Sequence, residues 1–196
     1  MRAWEKNIRR VEPYVPGEQP KVDNVIKLNT NENPYPPAPK AYEAAKAFDM
    51  DKLRLYPDPE CSALVHSIAQ YYGMDDNEVF TGVGSDDVLA MCFLTFFNSE
   101  KPVLFPDISY SFYSVWADLY RIPYETPELD SDFKIKPEDY YKENGGVIFP
   151  NPNAPTALYM ELDKVEDIIK HNQDVVVIID EAYIDFGGKS ALEFVN

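Results

Sequence analysis

Several things are scarce in this sequence. Only two cysteines and two histidines occur in 196 residues, and basic residues number 18 against 34 acidic ones. Cys61 and Cys92 stand far apart in apolar-periodic stretches without metal-ligand spacing, so both are expected to be buried free thiols in a reducing compartment, not a disulfide. With only His66 and His171 and no nucleophile elbow, a serine–histidine–acid set is not available, which argues against nucleophilic hydrolysis. Long apolar runs are missing too. The longest, around Val175–Ile179, suits a buried strand and not a membrane span. The opening Met1-Arg2-Ala3-Trp4-Glu5-Lys6 has no apolar stretch leading to a small-residue cleavage site, which argues against a secretory signal. The formal charge of −16 argues against nucleic acid and anionic membrane surfaces as partners. A soluble cytoplasmic protein is the expectation.

What is present begins with proline. Pro13, Pro16, Pro20, Pro34, Pro36, Pro37 and Pro39 punctuate residues 1–40 and forbid a long helix or a central strand after about Glu12. Tyr14, Val15, Val25, Ile26, Leu28 and Tyr35 supply apolar anchors, so this segment reads as an arm that packs onto something else. Residues 41–196 read as the main domain. There the spacing predicts helices over Ala41–Phe48, Cys61–Tyr72 (with Gly73 as its cap), Asp86–Phe97, Ser111–Leu119 and Leu162–His171. Strands are predicted at Glu78–Thr81, Pro102–Phe105, Ile122–Glu125, Gly146–Phe149 and Val175–Ile179. Strand and helix in alternation predict an α/β fold with a mostly parallel sheet.

Ligands of such sheets bind at the carboxyl ends of the strands, and the unusual residues fall there. Gly82-Val83-Gly84-Ser85-Asp86 is a glycine-bearing turn into a helix, whose free N–H groups and dipole suit a phosphate. It lacks the Gly-Lys-Ser/Thr of a Walker loop, and Asp87 occupies the third glycine position of a dinucleotide fingerprint. Read alone it is more simply an ordinary tight turn with Ser85 as N-cap. Val177-Ile178-Ile179-Asp180 delivers a carboxylate to the same edge, where it needs a metal, an arginine or a protonated heterocycle as partner, or serves only as a helix cap. Glu181 and Asp185 keep a metal open, although the histidines lack helpful spacing. Tyr183 is placed to bond the same ligand as Asp180. Pro150-Asn151-Pro152-Asn153-Ala154-Pro155-Thr156 is a rigid loop presenting uncharged amides; by itself it reads as a turn.

Together these segments resemble the fold-type I pyridoxal-phosphate (PLP) aminotransferases, and more narrowly the histidinol-phosphate aminotransferases, over nearly the full length. The resemblance is carried by Asn29-Thr30-Asn31-Glu32-Asn33-Pro34-Tyr35, Leu55-Tyr56-Pro57-Asp58-Pro59, Gly84-Ser85-Asp86 and Asp180-Glu181-Ala182-Tyr183. It implies a three-layer α/β/α large domain, pyridoxal 5'-phosphate as cofactor, and transamination of L-histidinol phosphate with 2-oxoglutarate in histidine biosynthesis. By the same resemblance Gly84, Ser85 and Asp86 hold the cofactor phosphate and Tyr110 stacks on the pyridine ring. Asp180 pairs with the ring nitrogen, and Tyr183 bonds the ring hydroxyl. Tyr56 reaches the phosphate of a neighbouring subunit, which implies a homodimer. Tyr14 and Asn33 border the substrate, and no metal is implied.

Two departures stand out. Where the family commonly has Asn-Pro-Thr-Gly, this chain has Ala154-Pro155-Thr156-Ala157, so either Asn153 replaces the ring-hydroxyl asparagine or the contact is absent. Ala157 in place of glycine also disfavours a left-handed backbone there. Moreover, the resemblance places the Schiff-base lysine and the substrate-binding arginines beyond Asn196. Lys189 stands too near Tyr183 and in the wrong context, so no catalytic residue is expected within these residues and the chain alone is expected to be inactive. A related PLP enzyme, such as a threonine-phosphate decarboxylase, is the close alternative. A non-catalytic remnant that binds PLP or a partner chain is the alternative from another class.

Overall fold

The computed structural model describes residues 2–195 apart from Pro13, Pro16, Gln19 and Asp23. The readings placed above on Met1, Pro13, Pro16 and Asn196 therefore lie outside the described residues. The chain divides into two compact units, one formed by residues 1–14 and 82–196 and the other by 15–81. The proline-rich residues 1–40 contribute to both units.

In the smaller unit, α1 (Pro39–Lys46) and α2 (Ser62–Tyr72) are the α-helices. Proline opens α1, where its missing N–H costs nothing. Asp58 prepares α2 by accepting from the N–H of Ser62 at 2.7 Å and of Glu60 at 3.1 Å. The Ser62 hydroxyl, with those backbone bonds, holds its carboxyl below the usual range. Gly73, at φ +71, closes the helix as expected. The strand predicted at Glu78–Thr81 is absent. A 3-10 turn takes Asp76–Glu78, with the Asp75 N–H bonded to the Glu78 carboxylate at 2.8 Å. This local capping satisfies backbone groups that a strand would have left to a neighbour.

The larger unit holds α3 (Ser85–Phe96), β1 (Val103–Leu104), α4 (Phe112–Tyr120), β2 (Tyr124–Glu125), β3 (Gly146–Pro150), α5 (Leu162–His171) and β4 (Val177–Asp180). All strand pairs are parallel, in the order β2-β1-β3-β4. Side chains alternate across the strands. Val103, Phe105 and Ile148 join a core with Leu89 and Phe93 of α3 and Tyr113, Trp116 and Ala117 of α4. Leu104, Val147 and Phe149 join another with Val165 and Ile168 of α5, Tyr140 and Met160. The sheet is thus covered on both faces, the three-layer α/β/α arrangement expected of a parallel sheet. The helices supply apolar residues at three- and four-residue spacing, as in Tyr113, Trp116 and Ala117. Phe97 packs so closely on Gly146, at φ +145, that a Cβ there would come within 2.4 Å of the ring.

Below the sheet, Asn144 and Asn172 form a buried clip. Asn144 donates to the Asn172 side chain at 2.7 Å and accepts from the Gly146 N–H at 2.9 Å. Asn172 donates to the carbonyls of Tyr140 and Ile168. Every amide nitrogen has an acceptor, so the start of β3 is tied to the end of α5 without unmet polar groups. Arg9 donates to the Leu119 carbonyl at 2.7 Å and Tyr14 lies on Phe112 with centroids 4.6 Å apart, which attaches the first residues to α4. Of the other apolar residues named in the first forty, Val15, Ile26, Leu28 and Tyr35 are largely exposed.

Two further expectations fail. Cys61 is exposed, not buried; only Cys92 is partly covered, and burial pushes its thiol up. Cys61 sits ahead of α2 in a left-handed conformation, φ +49, so apolar spacing there belongs to the residues that follow it. Ala157 does adopt the left-handed backbone, φ +58. Its N–H bonds the Asn153 carbonyl at 2.7 Å while the Asn153 N–H bonds the Leu158 carbonyl at 2.9 Å, and this closed turn imposes the conformation. Ala157→Gly is expected to stabilise the protein by about 1 kcal/mol, since roughly 1–2 kcal/mol of left-handed strain is relieved and part of it returns as unfolded-chain entropy. A urea midpoint that fails to rise at constant m would show that the turn carries no such strain.

Candidate functional site

The carboxyl ends of β3 and β4 and the start of α3 enclose a cleft lined by Ser85, Tyr110, Pro150, Ala154, Asp180, Ala182 and Tyr183. Each reaches it for a local reason. Gly84, at φ +84, is the N-cap of α3 and has no side chain to occupy the cap. Ser85 is therefore the first helical residue and not the N-cap, and the first-turn N–H groups of α3 lack a side-chain cap from that position. The turn is instead fastened by Asp87, whose carboxylate accepts from the Val83 N–H at 3.0 Å. Asp86 accepts the phenol hydrogen of Tyr110. Burial, helped by this bond, pushes the Tyr110 phenol well above its ordinary range, and the bond pins its ring at the cleft.

Asp180 ends β4, half-buried. One carboxylate oxygen accepts from the Tyr113 hydroxyl at 2.8 Å and the other from the Ala182 N–H at 3.2 Å. Its main-chain carbonyl accepts from the Asn151 N–H at 2.8 Å, which locks the end of β4 to the end of β3. Tyr113 is fully buried, and burial beside Asp180 raises its phenol far above the ordinary value, so it remains a donor throughout the accessible pH range.

The loop after β3 is held from within. Asn151 is buried and exchanges two bonds with the backbone of Met160. Asn153 is also buried; its amide donates to the Ile108 carbonyl at 3.0 Å and to the Thr156 hydroxyl at 3.2 Å, clamping the loop after β1 to the loop after β3. Its side-chain oxygen is buried without a partner. Ala154, not Asn153, lines the cleft.

Eight of the ten sequence-predicted site residues, Tyr14 included, thus fall within the larger unit. Among them Ser85, Tyr110, Asp180 and Tyr183 share the cleft, Gly84 and Asp86 adjoin it through the α3 turn, and Asn153 braces its loop. Tyr56 and Asn33 belong to the other unit; Tyr56 is fully exposed, and the Asn33 side chain accepts from the Tyr35 N–H at 2.9 Å. Tyr113 and Asp87 were missed. Tyr113 stands three residues after Tyr110, a helical phase that brings both to one side, and this was its readable signal. Among the described residues no group of three histidine, cysteine, aspartate or glutamate side chains could hold a metal ion. No described helix is long and apolar enough to cross a membrane.

The fold and cleft define an α/β protein of the parallel, doubly covered kind, with a cleft at the strands' carboxyl edge, where such folds bind ligands. A family model for aminotransferase class I and II matches residues 23–196, and the chain belongs to that family. It is 57% identical over 192 residues to histidinol-phosphate aminotransferase 1 of Hydrogenovibrio crunogenus, covering 98% of this chain and 54% of that one. It is 54% identical over 193 residues to the histidinol-phosphate aminotransferase of Clostridium beijerinckii, with coverage of 98% and 54%. The chain therefore spans about half the length of the curated relatives it matches. Among solved structures it resembles the histidinol-phosphate aminotransferase of Clostridium acetobutylicum, with TM-score 0.69, 26% identity and coverage of 80% and 47%. It shares its fold with the Sinorhizobium meliloti histidinol-phosphate aminotransferase in complex with pyridoxal-5'-phosphate, with TM-score 0.75, 20% identity and coverage of 83% and 45%.

Proposed function

We propose that these residues form the cofactor cradle of a PLP-dependent aminotransferase that exchanges the amino group of L-histidinol phosphate with 2-oxoglutarate. The observation that carries it is the placement of Asp180. A carboxylate oriented by two donors ends a strand in a cleft that also holds a tyrosine ring and an uncapped helix start.

The residues fit the group in each of its parts. The α3 turn offers N–H donors and the positive end of a helix to a phosphate, with Ser85 beside them. Tyr110, its hydroxyl anchored on Asp86, presents a ring against which an aromatic heterocycle stacks. Asp180 supplies the negative charge that keeps a proton on a pyridine nitrogen, and Tyr183 lies near enough on the same lining to bond a ring substituent. When bound, pyridoxal phosphate supplies the electron sink that transamination requires. The chain's own part is to grip the phosphate, fix the ring plane and hold the proton at the ring nitrogen.

The substrate assignment rests on the names of relatives more than half identical to this chain. Tyr14, which lies on Phe112 next to Tyr110, is proposed to border the substrate; for Asn33, in the other unit, the same role rests on the family resemblance alone. The complete exposure of Tyr56 supports a role across a homodimer interface, where it would reach the partner's phosphate site. The test is a substrate comparison with the purified full-length protein. Transamination of L-histidinol phosphate at a kcat/KM at least about tenfold above that for aromatic amino acids is the expected result, a margin of roughly 1.4 kcal/mol in transition-state binding. Preference for an aromatic amino acid, or decarboxylation of O-phosphothreonine, would overturn the substrate and keep the cofactor. No uptake of PLP would overturn both.

A further inference from the structure

Beyond the residues that line the cleft, one buried side chain reaches it from the core. Tyr113 is fully buried on α4, with its ring against Phe93 (centroids 6.0 Å, stacked), Phe105 (5.7 Å, edge-on) and Tyr110 (5.7 Å, edge-on). Packed apolar rings on three sides leave its hydroxyl one polar outlet, Oδ2 of Asp180 at 2.8 Å.

We propose that Tyr113 is the positioning residue for Asp180, fixing the carboxylate plane by a bond from the aromatic core so that its charge faces the cleft; this rests on the proposed cofactor-binding reading. Among the described residues one other donor, the Ala182 N–H at 3.2 Å, holds the carboxylate, and it belongs to the exposed turn that follows β4. A backbone donor in a turn shifts with that turn, whereas Tyr113 is wedged among Phe93, Phe105 and Tyr110. The same ring touches Tyr110, whose hydroxyl is tied to Asp86. Ring face and ring-nitrogen partner are thus referenced to a single buried side chain. A carboxylate free to rotate would spend part of its time out of line with the ring nitrogen, weakening the interaction without changing any group that touches the cofactor.

Tyr113→Phe removes the hydroxyl and keeps the ring. The measurements are the PLP dissociation constant, followed by fluorescence, and the nitrogen NMR shift of PLP labelled with 15N in its ring, with circular dichroism to verify folding. Tyr113→Phe is expected to weaken PLP binding about tenfold, the scale for one hydrogen bond to a charged group. It should also move the ring-nitrogen signal toward the unprotonated position. Asp180→Asn should do both more strongly, and Tyr113→Phe added to Asp180→Asn should cause little further loss, because its effect passes through that carboxylate. Equal losses from Tyr113→Phe in both backgrounds, or an unmoved nitrogen signal, would make Tyr113 a packing residue only and overturn the inference. If Asp180→Asn itself leaves binding and the nitrogen signal unchanged, the cofactor reading of Asp180 fails instead, and the inference with it.

Discussion

Asp180→Asn is expected to lower the turnover of the proposed transamination by about 10²–10³-fold, the scale seen when one preorganised electrostatic contact is removed from an active site. The substitution isolates charge from shape. Asparagine has nearly the same volume, and its side-chain oxygen can still accept from Tyr113 or from the Ala182 N–H. The main-chain bond from Asn151 to the carbonyl of residue 180 does not involve the side chain, so the β3–β4 register survives. What disappears is the negative charge that favours a proton on the ring nitrogen, and without that proton the electron-withdrawing power transamination needs is much reduced. The check is kcat for the variant and the parent, each as the full-length protein, with thermal melts alongside. A variant that melts like the parent and turns over within a factor of about three, under 1 kcal/mol in barrier, would remove Asp180 from this role.

The largest expected effect on stability belongs to Phe93→Ala, a loss of about 3–5 kcal/mol. Phe93 lies on α3 with no exposed surface, its ring 5.1 Å from that of Phe97, 5.7 Å from Trp116 and 6.0 Å from Tyr113. Removing it deletes transfer free energy and opens a cavity bounded by three other rings, which are too constrained to collapse into it. Against a typical total of about 5–15 kcal/mol, that loss leaves a marginal protein at best. Because Tyr113 leans on Phe93, the carboxylate of Asp180 should lose order as well, so cofactor binding should weaken before global unfolding. Urea denaturation checks the first claim, and PLP titration below the unfolding transition checks the second. A destabilisation under about 1 kcal/mol would mean that the aromatic cluster repacks and is not rigid enough to support the site.

The helices α3, α4 and α5, the strands that became β1 to β4 and their parallel pairing were legible because each signal is local. Apolar spacing of two or of three and four residues is written in neighbouring positions, and Leu162–His171 agrees with its expected bounds at both ends. Boundaries elsewhere moved by one or two residues, where capping decides the end and spacing does not. The strand at Glu78–Thr81 failed because a short apolar run has no preference of its own; the capping bonds around Asp75 and Glu78 were available sooner than a neighbouring strand. Ala157 failed for the converse reason. Residue preference is worth about 1–2 kcal/mol, and a turn closed by two backbone hydrogen bonds exceeds it.

At the site, the sequence by itself determined the chemical vocabulary: a glycine turn before a helix, a carboxylate at the end of an apolar strand, tyrosines nearby, and the order that led to an aminotransferase family. Only the tertiary structure decided how those groups address one another. Tyr113 and Asp180 are 67 positions apart, and Asn153 reaches Ile108 across 45. No local pattern encodes such bonds, because they exist only once the parallel sheet has brought the loops after β1, β3 and β4 to one edge. The residue types fixed which protons and charges are available; the packing of Phe93, Phe105 and Tyr110 around Tyr113 fixed where one of them points.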